Sequence, residues 1–585
     1  MAERSWARGA RAYVVATTPL AGSDLLRHHL GQTGVAGVPE EYFVADIRGW
    51  PRKLGVKMSW PAYGDYVQGA REQAGSNGVF GVTLHWHQFA WLVRILHLGR
   101  CSVEGSSTAY GVDAAMLLDR LLARPAYIWL RRGDSARQAI DYLELISTGK
   151  IGAAVDADQA AAVRKRTRVD LTHIRWFEGL LEGQDRHWGA YFRDGSIEPL
   201  EVCLEDLLAD PDGVCNRILD FLDLPRYAAP ADGAEPTLPG PRLWAEAFSS
   251  AYAEARPRIP DSPPPSWADL QQLPTRSSPS KPRPTDHERV VYSCVVDQSP
   301  LFRYQSLIWY LTLRELGGVR PDQMVVHVVN GTEPGHSDLL RDLGVSVVPV
   351  KRFDRRNGFA NKLRQLESEA LRDADRVVLC DCDLAFCRDI SNEIGGPELA
   401  GRVVDLGLPE YREWVDLQRA AGLRGRLLPR PSFANRWTYA YNFNGGFLVV
   451  PAEWFDTLGK AWPRWLLWLL DGAGHVPEAK EVLRFADQVS LGLTILELDI
   501  PVREVPASMN LTTVVPMFET YLGALSDPLV LHYHDLLDAP GLLKETGALA
   551  IDQAIGVVNQ LLSLPENREL IAPTLKELRA ISPGR

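Results

Sequence analysis

Short apolar runs alternate with helix-like stretches along both halves of the chain. Residues 12–16 (AYVVA) are followed by turn residues and a helical pattern, LLRHHLGQTG. Residues 290–296 (VVYSCVV) are followed in the same way by FRYQSLIWYLTLRELGG. Further apolar runs occur at 127–130, 324–330, 345–350 and 377–380. This alternation predicts α/β domains with largely parallel sheets, which bind ligands beyond the carboxyl ends of their strands.

One segment without periodicity separates the two halves. Residues 257–288 read PRIPDSPPPSWADLQQLPTRSSPSKPRPTDHE, and proline, serine and charged residues dominate them. Such a composition is typical of a semi-extended linker. Since 585 residues exceed what one ordinary core accommodates, we predict two domains, residues 1–256 and residues 289–585.

The composition narrows the functional class. With 46% apolar and 23% charged residues, the chain has the composition of a soluble globular protein. Its net charge of −11 argues against a nucleic-acid or anionic-membrane partner. No apolar run approaches the roughly 18–20 residues that a membrane-spanning helix needs, and the first residues lack a hydrophobic signal core. Seven cysteines, several of them in apolar strands, predict thiols in a reducing compartment, so the cytoplasm is the expected location.

Two carboxylates follow an apolar strand in the second half. Residues 377–387 read VVLCDCDLAFC, which places Asp381 and Asp383 one residue apart at the strand end. Oxygen ligands in this arrangement suit Mn²⁺ or Mg²⁺, which would neutralise the diphosphate leaving a sugar nucleotide. The alternatives are a turn cap followed by a solvated aspartate, or a zinc site made by three cysteines. Zinc is disfavoured because alternating cysteines point to opposite faces of a strand and no histidine is near in sequence.

The second half resembles the GT-A glycosyltransferases over roughly residues 289–540. The resemblance rests on weak signals in the expected order: VVYSCVVDQSP, GFANKLRQL, the DCD motif, YAYNFNGGFLVVP, FADQVSLGLTI and PLVLHYHD. It implies a Rossmann-like fold, a UDP- or GDP-sugar donor and a small-molecule or glycoconjugate acceptor. It also implies that Asp297 contacts the nucleotide, and that Asn361 and Lys362 precede a helix running toward the DCD strand.

The same resemblance assigns the donor-sugar pocket and the remaining metal ligand. Asn444, Gly445 and Gly446 are expected to line the pocket, where paired glycines permit a close approach of the backbone to a ligand. Asp487 is expected to orient a hydroxyl or to act as a base; the alternative is a helix N-cap. Finally, the resemblance offers His532 or His534 as a third metal ligand, the alternative being one packing histidine and one solvated histidine. Tryptophans around 437–468 are more typical of a core than of sugar stacking.

The first half opens with a small-residue turn between a strand and a helix. Residues 16–26 read ATTPLAGSDLL, and Gly22 and Ser23 would form a nest of backbone N–H groups at the helix N-terminus. Such a nest binds anions. The spacing differs from a Walker A motif because no Gly-Lys-Ser/Thr sequence follows.

Residues 12–225 resemble the bacterial trehalose sulfotransferase family. Besides the turn, the segments TGVAGVPEEYF, FGVTLHWHQF, IWLRRGDSARQAI and CLEDLLADP carry the resemblance. It implies a P-loop-like sulfotransferase fold and sulfate transfer from 3′-phosphoadenosine 5′-phosphosulfate to a sugar hydroxyl. Glu41 would be the catalytic base. Arg132 and Arg137 would lie in the segment that holds the 3′-phosphate, because a guanidinium binds phosphate oxygens bidentately.

The first half departs from this family at three positions. Where the family has an arginine, a threonine and a lysine, this chain has Leu20, Asp24 and Thr83. These changes remove two cations and add an anion near the expected donor. His85 and His87, which flank Trp86 on an apparent strand, would share one face. They would either replace a lost cation or pack in the core or at its rim.

Together the two halves predict a carbohydrate-modifying transferase. We expect metal-dependent glycosyl transfer in the C-terminal domain, fused to a domain that sulfates a sugar hydroxyl. Two alternatives remain open at this point: an N-terminal domain without catalysis that binds an acceptor or a partner, and a carbohydrate-binding protein without enzymatic activity in either half.

Overall fold

A computed structural model describes most of the chain. The described residues are 11–43, 69–72, 78–89, 118–119, 122–148, 169, 171–227, 243–259, 288–425, 427–432, 436–472, 483–506, 508–513, 528–538, 541–546 and 549–581. The chain divides into two compact units, Met1–Gln271 and Gln272–Arg585. Of the predicted linker, residues 260–287 lie outside the described part. The described helices include none with the length and apolar character that crossing a membrane requires.

The N-terminal unit is built on a four-stranded parallel sheet in the order β2-β1-β3-β4. Its strands are β1 (Arg11–Thr17), β2 (Val79–His85), β3 (Ala126–Arg131) and β4 (Leu200–Cys203). Its helices are α1 (Ser23–Gln32), α2 (Ser135–Thr148), α3 (Leu171–Asp194), α4 (Leu204–Ala209), α5 (Pro211–Phe221) and α6 (Leu243–Ala255), followed by a 3₁₀ turn at Arg256–Arg258. On one side of the sheet, apolar residues of α1 and α5 pack against the strands in a single core.

The turn between β1 and α1 requires a glycine. Gly22 is the N-cap of α1 and has a φ of 102° in the left-handed region. A Cβ at this position would lie 2.5 Å from Leu204 Cδ1. The residue must therefore be glycine both for its backbone conformation and for its packing. Leu20 in the same turn also has a positive φ, 61°.

The C-terminal unit contains a mixed seven-stranded sheet in the order β14-β10-β13-β8-β5-β6-β7 and a three-stranded sheet in the order β15-β16-β9. Its strands are β5 (Val290–Val296), β6 (Met324–Val329), β7 (Ser346–Val350), β8 (Arg376–Cys380), β9 (Leu384–Phe386), β10 (Leu399–Val403), β11 (Pro429–Pro431), β12 (Trp437–Tyr439), β13 (Phe443–Pro451), β14 (Val502–Glu504), β15 (Leu511–Thr512) and β16 (Val530–His532). Its helices are α7 (Pro300–Glu315), α8 (Pro334–Asp342), α9 (Tyr411–Ala420), α10 (Ala452–Asp471), α11 (Ala486–Leu498), α12 (Leu549–Leu562) and α13 (Pro565–Ile581). Three 3₁₀ segments complete it: Pro321–Gln323, Gly358–Glu367 and Glu369–Leu371. The predicted α/β class is confirmed in both units.

Strand pairing brings the end of β8 next to distant parts of the chain. The buried strand β8 pairs with β5 in parallel and with β13 in antiparallel register. After β8 the chain passes through the two aspartates into β9, which pairs with β16 so that Leu384 lies opposite His532. The pairing therefore places a histidine from near residue 530 beside an aspartate from near residue 380.

Two local expectations were wrong. Asn361 and Lys362 lie inside the 3₁₀ segment Gly358–Glu367 and do not precede a helix. The side chain of Asn357 accepts hydrogen bonds from the backbone of Phe359 and Ala360, which starts the segment as a tight turn. In the N-terminal unit β2 ends at His85, so His87 lies beyond the strand, although the His85 and His87 rings do stack side by side with their centroids 5.6 Å apart.

Candidate functional site

A cavity of about 570 Å³ lies in the C-terminal unit beyond the end of β8. Most of the residues that the sequence singled out in this half reach it from separate elements. Its lining includes Lys362, Asp381, Asp383, Asn444, Asp487, His532 and His534. The carboxyl end of β8 is therefore the place where the predicted site residues converge, as expected for an α/β sheet.

Three of these residues form a cluster that can hold a metal ion. One ligand atom from each of Asp383, His532 and His534 lies within 4.8 Å of the other two. Asp383 Oδ2 is 3.2 Å from His532 Nε2 and 3.8 Å from His534 Nδ1. The hydroxyl of Thr512 is 3.0 Å from His534 Nε2 and so fixes the orientation of this ring. Such a partner on the second nitrogen is usual for a metal-ligating histidine.

The protonation states of the cluster suit a cation. Burial lowers the pKa of His534 to about 3, with a further contribution from His532, so His534 is neutral at physiological pH. Burial alone would raise the pKa of Asp383, but the two histidines outweigh it and the pKa is lowered. A carboxylate and a neutral imidazole are the forms that coordinate metals. One carboxylate with two imidazoles fits Mn²⁺ better than Mg²⁺, which prefers oxygen ligands.

Asp381, the other aspartate of the DCD motif, is paired with a lysine. Lys362 Nζ lies 3.0 Å from Asp381 Oδ1 and 3.1 Å from Asp487 Oδ2, and it donates to the Gly445 carbonyl at 3.1 Å. Burial lowers the pKa of Lys362, but the two carboxylates outweigh burial and raise it, so the lysine is charged. For Asp381, burial raises the pKa more than Lys362 lowers it. Asp381 is thus held beside the metal-ligand cluster, with Lys362 as its partner.

The paired glycines lie directly behind the charged residues of the site, outside the cavity lining, and neither leaves room for a side chain. A Cβ on Gly446 would lie 2.9 Å from His532 Cε1 and 3.1 Å from Asp381 Oδ2. A Cβ on Gly445 would lie 3.0 Å from Lys362 Nζ. The carbonyl of Gly446 accepts a hydrogen bond from the Asp381 backbone N–H at 2.8 Å. The glycines thus allow β13 to approach the charged groups at backbone distance.

Asn444 anchors the glycine pair from the cavity side. Its Oδ1 accepts the Gly446 N–H at 2.9 Å, and its Nδ2 donates to Asp405 Oδ2 at 3.2 Å. Asp405 in turn forms an ion pair with the fully buried Arg402. Neither residue was singled out from the sequence, because Arg402 near the end of β10 and Asp405 just after it belong to no motif that would reveal them.

Asp487 has a carboxylate oxygen available to a ligand. Its Oδ2 faces Lys362, whereas its buried Oδ1 has no hydrogen-bond partner among the described residues. The N-cap of α11 is Phe485, so Asp487 lies in the first turn of the helix and is not its cap. A buried acceptor without a donor is costly unless a ligand supplies one.

Asp297 and Asn361 form a separate group at the ends of β5 and β7. Asn361 Nδ2 donates to Asp297 Oδ2 at 3.0 Å, and Arg352 lies 3.0 Å from the same oxygen. Neither Asp297 nor Asn361 belongs to the cavity lining. Arg352 was missed because it is one of several basic residues in the stretch KRFDRR, which offers no signal that selects it.

The cysteines near the DCD motif do not converge. The thiols of Cys380 and Cys387 point to the carbonyls of Val378 and Ala385, two residues back, and that of Cys382 points to Gln305. Within the described residues, the cluster of metal-ligating side chains contains no cysteine. The zinc alternative is therefore contradicted.

In the N-terminal unit, Glu41 is held by a compact hydrogen-bond network. Its Oε1 is 3.2 Å from His85 Nε2 and its Oε2 accepts from Gln88 Nε2 at 2.7 Å. The side-chain Oε1 of Gln88 accepts the His85 backbone N–H at 3.0 Å, which closes the network. Burial opposes ionisation of Glu41, but these partners outweigh it and lower its pKa to about 2. Gln88 was missed although it lies in the FGVTLHWHQF segment.

The two arginines of the predicted phosphate segment lie on different cavities. Arg132 lines a cavity of about 450 Å³, and its guanidinium is paired with Asp141 Oδ2 at 2.9 Å. Arg137 lines another of about 790 Å³ and lies 3.1 Å from Glu246 Oε1. The backbone N–H of Gly133, between them in sequence, donates to the carboxylate of Glu205. The guanidinium groups of Arg132 and Arg137 and the backbone N–H of Gly133 therefore each have a carboxylate partner within the N-terminal unit.

The positions that depart from the family pattern have structural roles. Asp24 is exposed and pairs with Arg27 at 2.9 Å, and Arg27 also reaches Glu40. Thr83 is buried and donates its hydroxyl to the Pro39 carbonyl at 2.9 Å, which helps to hold the Glu41 loop against β2. The Leu20 carbonyl accepts from Arg132 at 3.3 Å. Gly22 and Ser23 begin α1 as predicted.

Comparisons with known proteins assign a family likeness to each half. Residues 12–238 match the model of the Stf0 sulphotransferase family, and residues 293–499 match the model of a Rhodobacterales glycosyltransferase domain. The trehalose 2-sulfotransferase of Mycolicibacterium smegmatis is 26% identical over 243 residues, which cover 37% of this chain and 86% of that protein. The Mycobacterium tuberculosis enzyme of the same name is 24% identical over 248 residues, 38% and 88% of the two chains.

Solved glycosyltransferases show a more distant likeness. The galactosyltransferase LgtC is 15% identical with a TM-score of 0.30, covering 48% of this chain and 99% of LgtC. Mouse xyloside xylosyltransferase 1 is 14% identical with a TM-score of 0.28, covering 42% and 97%. At these TM-scores the two structures carry no argument about the site. From the two family matches, the chain is a two-domain carbohydrate-modifying transferase in which a sulfotransferase-like domain precedes a glycosyltransferase domain.

Proposed function

We propose that the C-terminal domain transfers a glycosyl unit from a UDP- or GDP-sugar in a metal-dependent reaction. The observation that carries this proposal is the cluster of Asp383, His532 and His534 on a cavity that also contains Lys362 and Asp487. When bound, Mn²⁺ or Mg²⁺ would stabilise the negative charge that develops on the leaving diphosphate. The acceptor would be a small molecule or a glycoconjugate.

The residues around the cluster have distinct roles in this proposal. Asp383, His532 and His534 hold the cation, and Asp381 lies within reach of a ligand on it. Lys362 is charged and positions the carboxylates of Asp381 and Asp487. Asp487 Oδ1 accepts a hydrogen bond from a hydroxyl group, which satisfies an otherwise unpartnered buried oxygen. Gly445 and Gly446 are proposed to let the donor sugar approach the backbone of β13, and Asp297 and Asn361 are the proposed contacts to the nucleotide.

Calorimetric titration with UDP and GDP, with and without Mn²⁺, tests this proposal. We expect nucleotide binding that requires the metal and is lost in Asp383→Ala. The matched control is Asp389→Ala, an exposed aspartate outside the cavity lining whose carboxylate accepts hydrogen bonds from the backbone N–H and the hydroxyl of Ser391. Metal-independent binding, or equal binding by both variants, would reject the assignment.

For the N-terminal domain we propose sulfate transfer from 3′-phosphoadenosine 5′-phosphosulfate to a sugar hydroxyl, with trehalose as the first acceptor to test. The acceptor oxygen forms the new bond to sulfur as the bond from sulfur to the phosphate oxygen breaks, and Glu41 receives the hydroxyl proton. Its place in the segment that matches the sulfotransferase family supports this role, and His85 and Gln88 fix the orientation of its carboxylate. Gly22, Ser23, Arg132 and Arg137 are the proposed contacts to the donor's phosphates.

One observation favours a second candidate for this domain, the binding of an acceptor or partner without catalysis. Arg132 is already paired with Asp141, and Arg137 is already paired with Glu246. The backbone N–H of Gly133 already donates to Glu205. Thermal unfolding with 3′,5′-adenosine bisphosphate separates the two candidates, because a ligand of the native state raises the melting temperature. A rise in melting temperature supports the sulfotransferase, and no rise at millimolar ligand supports the binding role.

We also propose a cytoplasmic location for the protein, as the cysteine pattern predicts.

A further inference from the structure

Two exposed phenylalanines share the mouth of the C-terminal cavity. Phe302 is 37% exposed and Phe359 is 56% exposed, and both line the cavity. Phe302 lies in the first turn of α7 and Phe359 in the 3₁₀ segment Gly358–Glu367, so the two rings come from separate elements. Covering an exposed phenylalanine ring with a ligand is favourable because it removes apolar surface from water. Their convergence on a functional cavity therefore points to a ligand that covers them.

The apolar character continues around the mouth. Leu301 and Phe485 also line the cavity, and the guanidinium carbon of Arg484 lies 5.3 Å from the centroid of the Phe485 ring. This cation–π contact holds the side chain of Arg484 against the ring. The cavity thus has a charged inner part around Lys362 and an aromatic outer part, which we call the aromatic rim: Leu301, Phe302, Phe359 and Phe485.

The two parts suit the two substrates of a glycosyl transfer. The metal-ligand cluster and Lys362 provide the charges that a diphosphate and a donor sugar require, so the donor occupies the inner part. The acceptor must reach the anomeric carbon of the donor from the open side, where the aromatic rim lies. Aromatic faces pack well against the C–H faces of a pyranose ring.

Charge further restricts the acceptor. The cavity lining carries more carboxylates than cations, with Asp381, Asp383, Asp405, Asp487 and Asp535 against Lys362 and Arg484, and Arg402 behind the lining neutralises Asp405. A divalent cation and a donor diphosphate carry nearly equal and opposite charge, so the excess of carboxylates persists when both are bound. A sulfate ester on the acceptor would add a negative charge to a cavity that already has an excess of carboxylates, which disfavours its binding.

We infer that the aromatic rim is an acceptor subsite for a neutral, unsulfated saccharide, and that glycosyl transfer here precedes sulfation of the acceptor. This inference rests on the proposed glycosyl transfer of the same cavity. Phe302 and Phe359 contact the acceptor and select for a sugar with an accessible apolar face. The sulfated compound is then the product of the later reaction and a poor substrate for this site.

Saturation-transfer NMR on the full chain with Mg²⁺ and UDP tests the inference. The probes are trehalose, maltose and lactose, and trehalose 2-sulfate as the anionic counterpart of the first. We expect signals from at least one neutral disaccharide, at least a fivefold weaker response from trehalose 2-sulfate if trehalose binds, and at least a fivefold loss in Phe302→Ala and in Phe359→Ala. Leu467→Ala is the control, because Leu467 is 39% exposed on α10 and does not line the cavity.

Three results would overturn the inference: no response from any neutral disaccharide, an equal response from the sulfated sugar, or a neutral-sugar response that survives both phenylalanine substitutions. The last result would assign the saccharide to another site, including the N-terminal domain. Calorimetric titration of the same variants with UDP in the presence of the metal tests the proposed glycosyl transfer separately. Retained nucleotide binding with a failed saccharide test rejects the acceptor subsite alone, whereas loss of nucleotide binding in the unmodified chain rejects the glycosyl transfer itself.

Discussion

Both domains follow the rule that an α/β sheet binds its ligands beyond the carboxyl ends of its strands. They differ in how many polar groups of the candidate site already have a hydrogen-bond or ion-pair partner within the protein. In the N-terminal domain Arg132, Arg137 and Glu41 each have protein partners, in Asp141, Glu246 and the pair His85 and Gln88. In the C-terminal domain Asp383 lies against two histidines, and Asp487 Oδ1 has no donor among the described groups.

This difference separates groups that stabilise the fold from groups that await a ligand. Arg132 and Asp141 are 7% and 1% exposed, so their pairing offsets the cost of burying each charge. The candidate metal-ligand atoms around the open cavity do not offset the cost of their burial by pairing in this way. A cation with its bound substrate would supply the missing partners. The comparison makes the C-terminal site the stronger indication of catalysis.

Substitution of Arg132 is the largest expected effect and tests whether this residue mainly stabilises the fold. Arg132→Met removes the ion-pair partner of the buried Asp141, which should lower the free energy of unfolding by about 3–5 kcal/mol. Arg137→Met should cost less than about 1 kcal/mol, because its ion pair with Glu246 is exposed. Denaturant unfolding of the full chain measures both. Equal losses in the two variants would contradict the contrast between them.

Removal of the proposed metal-ligand carboxylate, that of Asp383, tests the C-terminal site. Asp383→Ala should reduce metal-stimulated hydrolysis of the donor by at least about 100-fold, equivalent to about 2.7 kcal/mol of barrier, because the cation loses its anionic ligand. Donor hydrolysis followed by mass spectrometry in Mn²⁺ measures the loss. Rates within a factor of two of the unmodified chain would show that the cluster holds no catalytic metal.

A methyl group behind the charged residues of the site should have a smaller effect. Gly446→Ala places a Cβ 2.9 Å from His532 and should destabilise the domain by about 1–3 kcal/mol while weakening Mn²⁺ binding. Gly556→Ala is the control, since nothing lies within 4 Å of its Cβ position in α12; it should stabilise by up to about 1 kcal/mol. Denaturant unfolding and metal titration of the two variants measure both effects. If Gly446→Ala changed neither the free energy of unfolding nor Mn²⁺ binding, β13 would be able to move away from His532.

The smallest expected effect is the pH dependence contributed by Glu41. Because its folded pKa of about 2 lies below its ordinary value of 4.5, ionised Glu41 stabilises the fold above pH 4.5 and loses this contribution as the pH falls toward 2. Glu41→Gln should therefore be less stable than the unmodified chain by about 1 kcal/mol at neutral pH, a value reduced by solvent screening of the 40% exposed side chain. The difference should shrink between pH 4.5 and pH 2, as measured by chemical unfolding.

A matched variant sharpens that test. Glu201→Gln removes a carboxylate that is 63% exposed and 3.9 Å from Arg131. It should show little difference from the unmodified chain across the same pH range. A constant deficit for Glu41→Gln at every pH would mean that the glutamine disturbs packing and that the hydrogen bonds of the ionised carboxylate contribute little.

The sequence by itself determined the order of strands and helices and the position of the two aspartates. Apolar residues that alternate with polar ones indicate a strand with one buried face, and a short unbroken apolar run indicates a strand that is buried on both faces. The abrupt change from Leu379 and Cys380 to Asp381 therefore located the end of β8. The glycine pair at 445–446 and the turn at Gly22 were also readable, because only glycine tolerates those approaches or that backbone conformation.

The tertiary structure alone decided which groups meet. Asp381 and Asp383 are neighbours in sequence, yet one faces Lys362 and the other faces the two histidines. Arg132 and Arg137 look equivalent in sequence, yet they line separate cavities. Partners such as Asp141, Glu205 and Asp405 come from distant segments, and pairing depends on packing across the sheet, which no local pattern encodes. The exposure of Phe302 and Phe359 at one cavity mouth was likewise hidden, because an aromatic residue in a helical pattern reads as core until its neighbours are known.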